Sequence, residues 1–238
     1  MTAPAVDWQR VRAVVFDVDG TLYDQHGMRL RMARELALRC LARPATLRDA
    51  RILTTFRRLR EELAEGEATG IGRLQYDRTA ERLGLPVDRI EAVVEEWILR
   101  RPLRHAAACR RAGVRRLFAE LRGGGHGIGV WSDYPAAGKL AAMGLTADAV
   151  VCATDPEVDR LKPRPEGLTR LLGILGVGPA EALVIGDRDE RDGEAARRAG
   201  CPYLLIVRRP GAPHEIAGFP PLLDAAKIGR DPSLLGRR

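Results

Sequence analysis

Five short apolar runs, each giving way to a polar or reactive residue and separated by helical stretches, constrain this chain more than any other feature. They are Arg12 to Asp17, Gly127 to Ser132, Ala149 to Ala153, Ala182 to Asp187 and Tyr203 to Val207. Runs of this length without polar alternation read as strands buried on both faces. Helical patterns fill the gaps over Val114 to Arg122, Ala136 to Met143, Pro165 to Leu175 and Gly193 to Ala199. Strand alternating with helix defines an α/β fold, a doubly wound parallel sheet. In such a sheet the crevice at the carboxyl ends of the strands is the binding site.

One segment breaks the alternation. From about Asp24 to Arg111 the chain is rich in arginine and glutamate, with apolar residues at helical spacing: Leu36, Leu38, Cys40 and Leu41, then Ile90, Val93, Val94, Trp97 and Ile98. It is too long for one crossover helix, and we read it as an inserted helical cap. The domains expected are a core of residues 1–24 and 112–238 and a cap of residues 25–111. Gly66 to Gly72 reads as a turn between cap helices, and Pro102 as a hinge near the cap's exit. A short helix is expected over Glu215 to Lys227, with frayed residues beyond it.

The 238 residues carry a formal net charge of +7, nearly all from arginine, with lysine only at positions 139, 162 and 227. Acidic residues interleave with the arginines, as in Arg57 to Glu62, which describes solvated helix faces rather than a specific nucleic-acid surface. No apolar run reaches the roughly 20 residues of a membrane helix, and the polar start, Met1 to Arg12, lacks a signal-peptide core, so a cytoplasmic protein without membrane contact is expected. Cys40, Cys109, Cys152 and Cys201 are widely separated, which argues for reduced thiols over a zinc site or a disulfide framework. Oligomeric state stays open between monomer and homodimer.

Four features at strand ends carry chemistry. Asp17-Val18-Asp19-Gly20-Thr21 places two carboxylates two residues apart where the first strand ends, suited to a nucleophile and a proton carrier. Ser132-Asp133 offers a hydroxyl and backbone amides to a phosphate oxygen, although a helix cap explains it alone. Lys162 is a compact cation just before the helix opened by Pro165, and alone would read as a surface lysine. Asp187 to Asp192 adds acids able to ligate a hard cation, or simply to cap the next helix. The glycine-rich Gly123 to Gly129 precedes its strand and reads as a helix-ending turn. His26, Arg29, Arg31 and Arg73 are further candidates to meet an anionic substrate. Trp97 reads as cap core, and Arg188 and Asp189 either shape the acidic loop or pair with each other.

Together the four motifs resemble those of the haloacid dehalogenase superfamily of phosphohydrolases, over residues 11 to 30 and 112 to 207. The resemblance implies a doubly wound, Rossmann-like core of strand order 3-2-1-4-5. The insertion resembles the helical cap of the subclass that includes phosphoglycolate phosphatase and beta-phosphoglucomutase. Asp17 would then be the nucleophile, and Asp19 would protonate the leaving oxygen and activate water. Ser132, the Asp133 amide and Lys162 would hold the phosphoryl group. Asp17, the Asp19 carbonyl, Asp187 and Asp192 would bind or support Mg2+. The implied reaction is hydrolysis of a small phosphorylated metabolite through an aspartyl-phosphate. Its rivals are a phosphomutase, a polynucleotide phosphatase and a non-catalytic module. Asp19 argues against the dehalogenase branch, whose members lack the second aspartate.

Overall fold

The computed structural model describes residues 6–66, 68–212, 214–220 and 222. Six parallel strands form one sheet in the order β3-β2-β1-β4-β5-β6. They are β1 (Ala13–Phe16), β2 (Gly127–Ser132), β3 (Ala149–Cys152), β4 (Ala182–Gly186), β5 (Tyr203–Ile206) and β6 (Glu215–Ile216). The expected five-strand order stands, with one short strand added at its edge.

Burial on both sides explains the apolar runs. Val14 and Phe16 of β1 face one core with Ile128, Val130, Leu183 and Ile185, while Val15 faces the other with Trp131, Val151 and Val184. That is the period-2 alternation of a strand, with neither face left to water. Helix α6 (Val114–Gly123) closes the first face with Val114, Leu117, Phe118 and Leu121. Helix α7 (Ala137–Met143) adds Leu140 and Met143. On the second face lie α8 (Glu166–Leu175), through Leu168, Leu171 and Leu172, and α9 (Glu194–Ala199), through Ala195 and Ala196.

Between β1 and β2 the chain is helical: α1 (Gln25–Ala42), α2 (Leu47–Glu65), α3 (Ile71–Leu83), α4 (Val87–Val94) with a wider turn over Glu95–Arg100, and α5 (Leu103–Cys109). Asp24 caps α1, accepting the His26 and Gly27 amides at 3.1 Å each. The insertion has its own core, where Ile52, Leu53 and Phe56 of α2 meet Ile90, Val93, Val94, Trp97 and Ile98. The helical pattern at residues 90–98 therefore marks a packed face as expected. On α1 it does so only at Leu36, half-buried against the same core; Leu38 and Leu41 are exposed, and Cys40 is half-buried. The turn expected over Gly66 to Gly72 is shorter at its far end, since α2 ends at Glu65 and α3 already holds Ile71 and Gly72; Gly124 and Gly125 end α6 before β2.

The helix expected over residues 215–227 is not what forms at its start. Glu215 and Ile216 are in β6, because the outer edge of β5 leaves backbone groups to satisfy: the Leu205 amide donates to the His214 carbonyl at 2.7 Å and the Val207 amide to Ile216 at 2.9 Å. Residues 217–219 form bends and Pro220 and Leu222 are helical, while residue 221 and everything from 223 on, including Lys227 and the last ten residues, lie outside the described residues. No described helix is long and apolar enough to cross a membrane. All four cysteines are free, three of them buried and Cys40 half-buried.

A tight contact under the site makes a testable point. Gly167 of α8 lies against Trp131, and a Cβ there would come within 2.2 Å of the indole Nε1 of a ring only 1% exposed. Alanine in a helix normally stabilises relative to glycine, by up to ~1 kcal/mol. Here overpacking outweighs that gain, so Gly167→Ala lowers stability by about 1–3 kcal/mol. Chemical denaturation measures it, and an unchanged or raised midpoint would contradict the packing.

Candidate active site

Because the strands are parallel, their reactive residues leave the sheet at one end. Phe16 is in register with Val130 of β2 and Ile185 of β4, so Asp17 emerges beside the ends of both neighbours. The chain order reverses between β1 and β4, and Asp17 and Asp187 flank that switch point. Ligand oxygens of Asp17, Asp187 and Asp192 lie within 4.8 Å of one another.

Lys162 ties this cluster together. Its Nζ donates to Asp17 Oδ1 at 2.6 Å and to Asp192 Oδ1 at 2.7 Å, with the side chain 3% exposed. It also lies 4.7 Å from the centroid of the Trp131 ring. Burial opposes its charge, but Asp17, Asp192 and Asp133 hold its pKa well above the usual lysine range. The other carboxylate oxygen of Asp192 accepts the amides of Asp187 and Arg188, each at 3.1 Å, which fixes the acidic loop. Thr21 Oγ donates to Asp17 Oδ2 at 3.0 Å.

Gly20 makes room for the acids. Its φ is +103°, and a Cβ there would sit 1.9 Å from Asp187 Oδ2. Any other residue would meet both backbone strain and a collision. Arg111 holds the same turn, donating to the Gly20 carbonyl at 3.0 and 2.7 Å.

The turn sends the two aspartates of the first motif to different partners. Asp19 faces Lys139 of α7, whose Nζ donates to its two oxygens at 2.5 and 2.8 Å, and it also accepts the Tyr23 hydroxyl. Burial opposes ionisation of Asp19, yet Lys139 and Tyr23 bring its pKa below the usual range. For Asp17 the balance goes the other way. Burial is the largest effect and, with repulsion from Asp192, Asp187 and Asp19, outweighs Lys162 and raises its pKa well above that range.

A cavity of about 370 Å³ opens above these residues. Asp17, Asp19, Asp133, Lys162, Asp187 and Asp192 all line it. Ser132 does not: it is fully buried, and its Oγ accepts the Tyr134 amide at 3.3 Å. The motif thus reaches the cavity through Asp133 and Tyr134. Asp133 Oδ1 accepts the Lys162 amide at 3.2 Å, linking the loops after β2 and before α8.

Helix α2 spans these loops from above. Arg60, 5% exposed, donates to the Asp133 carbonyl at 2.7 Å, bonds Gln75, and lies 4.2 Å from the Tyr134 ring centroid. Glu61 pairs with Arg188 at 3.2 Å and with Arg191, whose guanidinium donates to the Lys162 carbonyl at 2.6 Å. Asp159 accepts the amides of Gly70 and Ile71, the latter at 2.6 Å. Ala64 and Ile71 share a small apolar cluster with Ala153 and Leu161.

Several residues singled out in the sequence sit elsewhere. Arg29 lines the cavity, but His26 and Arg31 do not, and Arg73 pairs with Asp77 and Glu91. Arg188 and Asp189 do not pair with each other: Asp189 meets Arg197. Trp97 is both core and cavity wall. Sequence reading missed Tyr23, Arg60, Glu61, Lys139 and Arg191. Only Lys139 carried a signal, since the scarcity of lysine that drew notice to Lys162 applies equally to it.

Comparison with known proteins agrees with this geometry. A model of the haloacid dehalogenase-like hydrolase family matches residues 11–200. The chain belongs to that family. It is 30% identical over 206 residues to N-acetylmuramic acid 6-phosphate phosphatase from Pseudomonas aeruginosa, covering 83% of this chain and 82% of that protein. It is 28% identical over 214 residues to phosphoglycolate phosphatase from Escherichia coli, covering 84% and 82%. In fold it is similar to a HAD-superfamily hydrolase of subfamily IA from Geobacter sulfurreducens (TM-score 0.58, 22% identity, covering 91% of this chain and 97% of that one). It is also similar to L-2-haloacid dehalogenase from Xanthobacter autotrophicus (TM-score 0.57, 20% identity, covering 84% and 79%).

Three acids converging on one lysine leave negative charge that a hard cation would balance. Burial above all, then repulsion from Asp192, pushes the Asp187 carboxyl up to about 7. The metal-free folded protein therefore holds a proton that the unfolded chain has released. This group's contribution falls as pH climbs from the ordinary 3.8 through 7. A divalent cation would take the place of that proton. Adding Mg2+ should accordingly raise the thermal midpoint by several degrees more at pH 7.5 than at pH 5.5, with protons released on binding. Equal gains at both pH values, read by calorimetry in buffers of different ionisation heat, would contradict this.

Proposed function

We propose that the chain is a phosphatase that hydrolyses a small phosphate monoester through an aspartyl-phosphate on Asp17. The observation that carries this reading is the buried Lys162 bridging Asp17 and Asp192 at the floor of the cavity. A carboxylate attacking a phosphate dianion works against like-charge repulsion, and a fixed cation at the nucleophile lowers it. The phosphatase names of the two relatives support the same reaction class.

The chain's own groups divide the work. Asp17 is positioned by Lys162 and Thr21, with one oxygen on each, and attacks phosphorus as the ester oxygen departs. Asp19 lines the same cavity and is the proton carrier: it relays a proton from the Lys139 ammonium, bonded to both its oxygens, to the departing oxygen, and returns one taken from the water that clears the intermediate. Lys139 and Tyr23 fix its carboxylate. Lys162 and the Asp133 amide receive phosphoryl oxygens. Asp17, Asp187 and Asp192, with the Asp19 carbonyl, would hold the metal ion, and oxygen donors suit Mg2+. When bound, that ion would supply Lewis-acid stabilisation of the phosphoryl charge.

The helical insertion, residues 25–111, acts as a cap that moves about the Asp24 and Pro102 regions and excludes water when closed. Its separate core and its polar contacts through Arg60, Glu61 and Asp159 support this division. Glu61→Gln removes the acid shared by Arg188 and Arg191, and should raise KM more than it lowers kcat. Unchanged kinetics would remove cap closure from the account.

The reaction itself is tested by phosphate release from p-nitrophenyl phosphate. Turnover should require a divalent cation, stop with chelator, and fall at least ~10³-fold in Asp17→Asn, as expected when a nucleophile is lost. Acid-quenched wild-type protein should carry one phosphoryl group by intact mass. Turnover within tenfold of wild type in the variant would exclude Asp17 as the nucleophile.

A further inference from the structure

The wall of the cavity, more than its floor, limits what the ester can carry beyond its phosphate. Helix α1 presents Met28, Met32 and Leu36 to the cavity, at four-residue intervals along one face. Leu53 of α2 and Trp97 and Ile98 complete the apolar surface. The polar side chains on this helical wall are few, and most are committed. Arg60 is spent on Asp133 and Gln75, and Glu61 on Arg188 and Arg191. Gln25 is the one neutral amide there. A polyhydroxylated body would leave hydroxyl groups unpaired against methionine, leucine and isoleucine, which disfavours it.

Two cations on the wall remain available. Arg29 of α1 and Arg57 of α2 line the cavity, and neither forms an ion pair with a described residue. Other arginines of the insertion, Arg58, Arg73, Arg82, Arg89, Arg100 and Arg101, each meet an acid and do not line the cavity. Charge over the whole cavity points the same way. Seven basic and six acidic side chains line it. A divalent cation and a phosphate dianion cancel each other, so a surplus of one positive charge persists with the ester's phosphate in place.

We infer that the substrate is a phosphate monoester with an apolar body of about aromatic-ring size and a second anionic group, such as a carboxylate, at its far end. Arg29 and Arg57 are the residues that select the anion, and the wall formed by Met32, Leu36, Leu53 and Trp97 selects the body. This inference rests on the phosphatase reading above.

The test compares kcat/KM for three esters: 2-phosphoglycolate, benzyl phosphate and 4-carboxybenzyl phosphate. 4-Carboxybenzyl phosphate should exceed each of the others at least tenfold, since one lacks the body and the other the anion. In the double variant R29A/R57A the ratio between the carboxybenzyl and benzyl esters should collapse toward one. A wild-type ratio below threefold, a ratio that survives the double variant, or preference for 2-phosphoglycolate would each overturn the substrate class. If p-nitrophenyl phosphate is hydrolysed while the panel is flat, only the substrate class fails. If no ester is hydrolysed, the phosphatase reading fails and takes the substrate class with it.

Discussion

The buried ammonium of Lys162 is the interaction on which the site's geometry depends. It sits between Asp17 at the end of β1 and Asp192 in the loop after β4, bonded to both. Without it, three carboxylates would converge at the switch point of the sheet with little to offset their repulsion. A buried charge is tolerated only when paired, and here each partner comes from a different strand end. The pairing therefore also fixes the relation between those strand ends. Asp192 completes the arrangement by accepting two amides of its own loop.

From that floor the structure builds upward in layers. The parallel sheet, packed on both faces, holds the strand ends in place. Loops linked through Asp133, Lys162 and Arg191 form the rim. Helix α2 then crosses the rim with Arg60 and Glu61, adjacent residues that engage the loop after β2 and the loop after β4 respectively. The helical wall is thereby registered against the acids below it, and the cavity becomes a space enclosed by both parts of the chain. The same residues that hold the wall in place are consumed in doing so, which is why the uncommitted wall is apolar apart from Gln25 and two arginines.

The two aspartates of the first motif show how environment separates identical groups. Asp17 and Asp19 stand two residues apart, yet burial and neighbouring acids raise the pKa of one, while Lys139 and Tyr23 lower that of the other. The turn at Gly20 makes the divergence possible, because its backbone and missing side chain leave room for Asp187.

The sequence by itself determined the parallel sheet and the acids and lysine at its ends, while the strand order was implied by the resemblance of the four motifs to a known family. Apolar runs buried on both faces have no alternative to a covered parallel sheet, and strand ends in such a sheet are neighbours. It also placed the helical insertion, because residues 90–98 carry a clear helical period. It could not give Lys139, Arg60, Glu61, Arg191 or Tyr23 their places, since each acts through a partner far away in the chain or through a turn whose path depends on packing. Asp19 meets Lys139 from 120 residues away, and Arg60 meets Asp133 from 73. Nor could it show that Leu38 and Leu41 stay exposed while Met28 and Met32 line the cavity, because helical spacing defines a face but not what lies opposite. At the other end of the chain, an open strand edge took Glu215 and Ile216 from the helix their sequence suggested. Elsewhere local pattern decided what each segment became; only tertiary contact decided which charges met and which apolar faces enclosed the site.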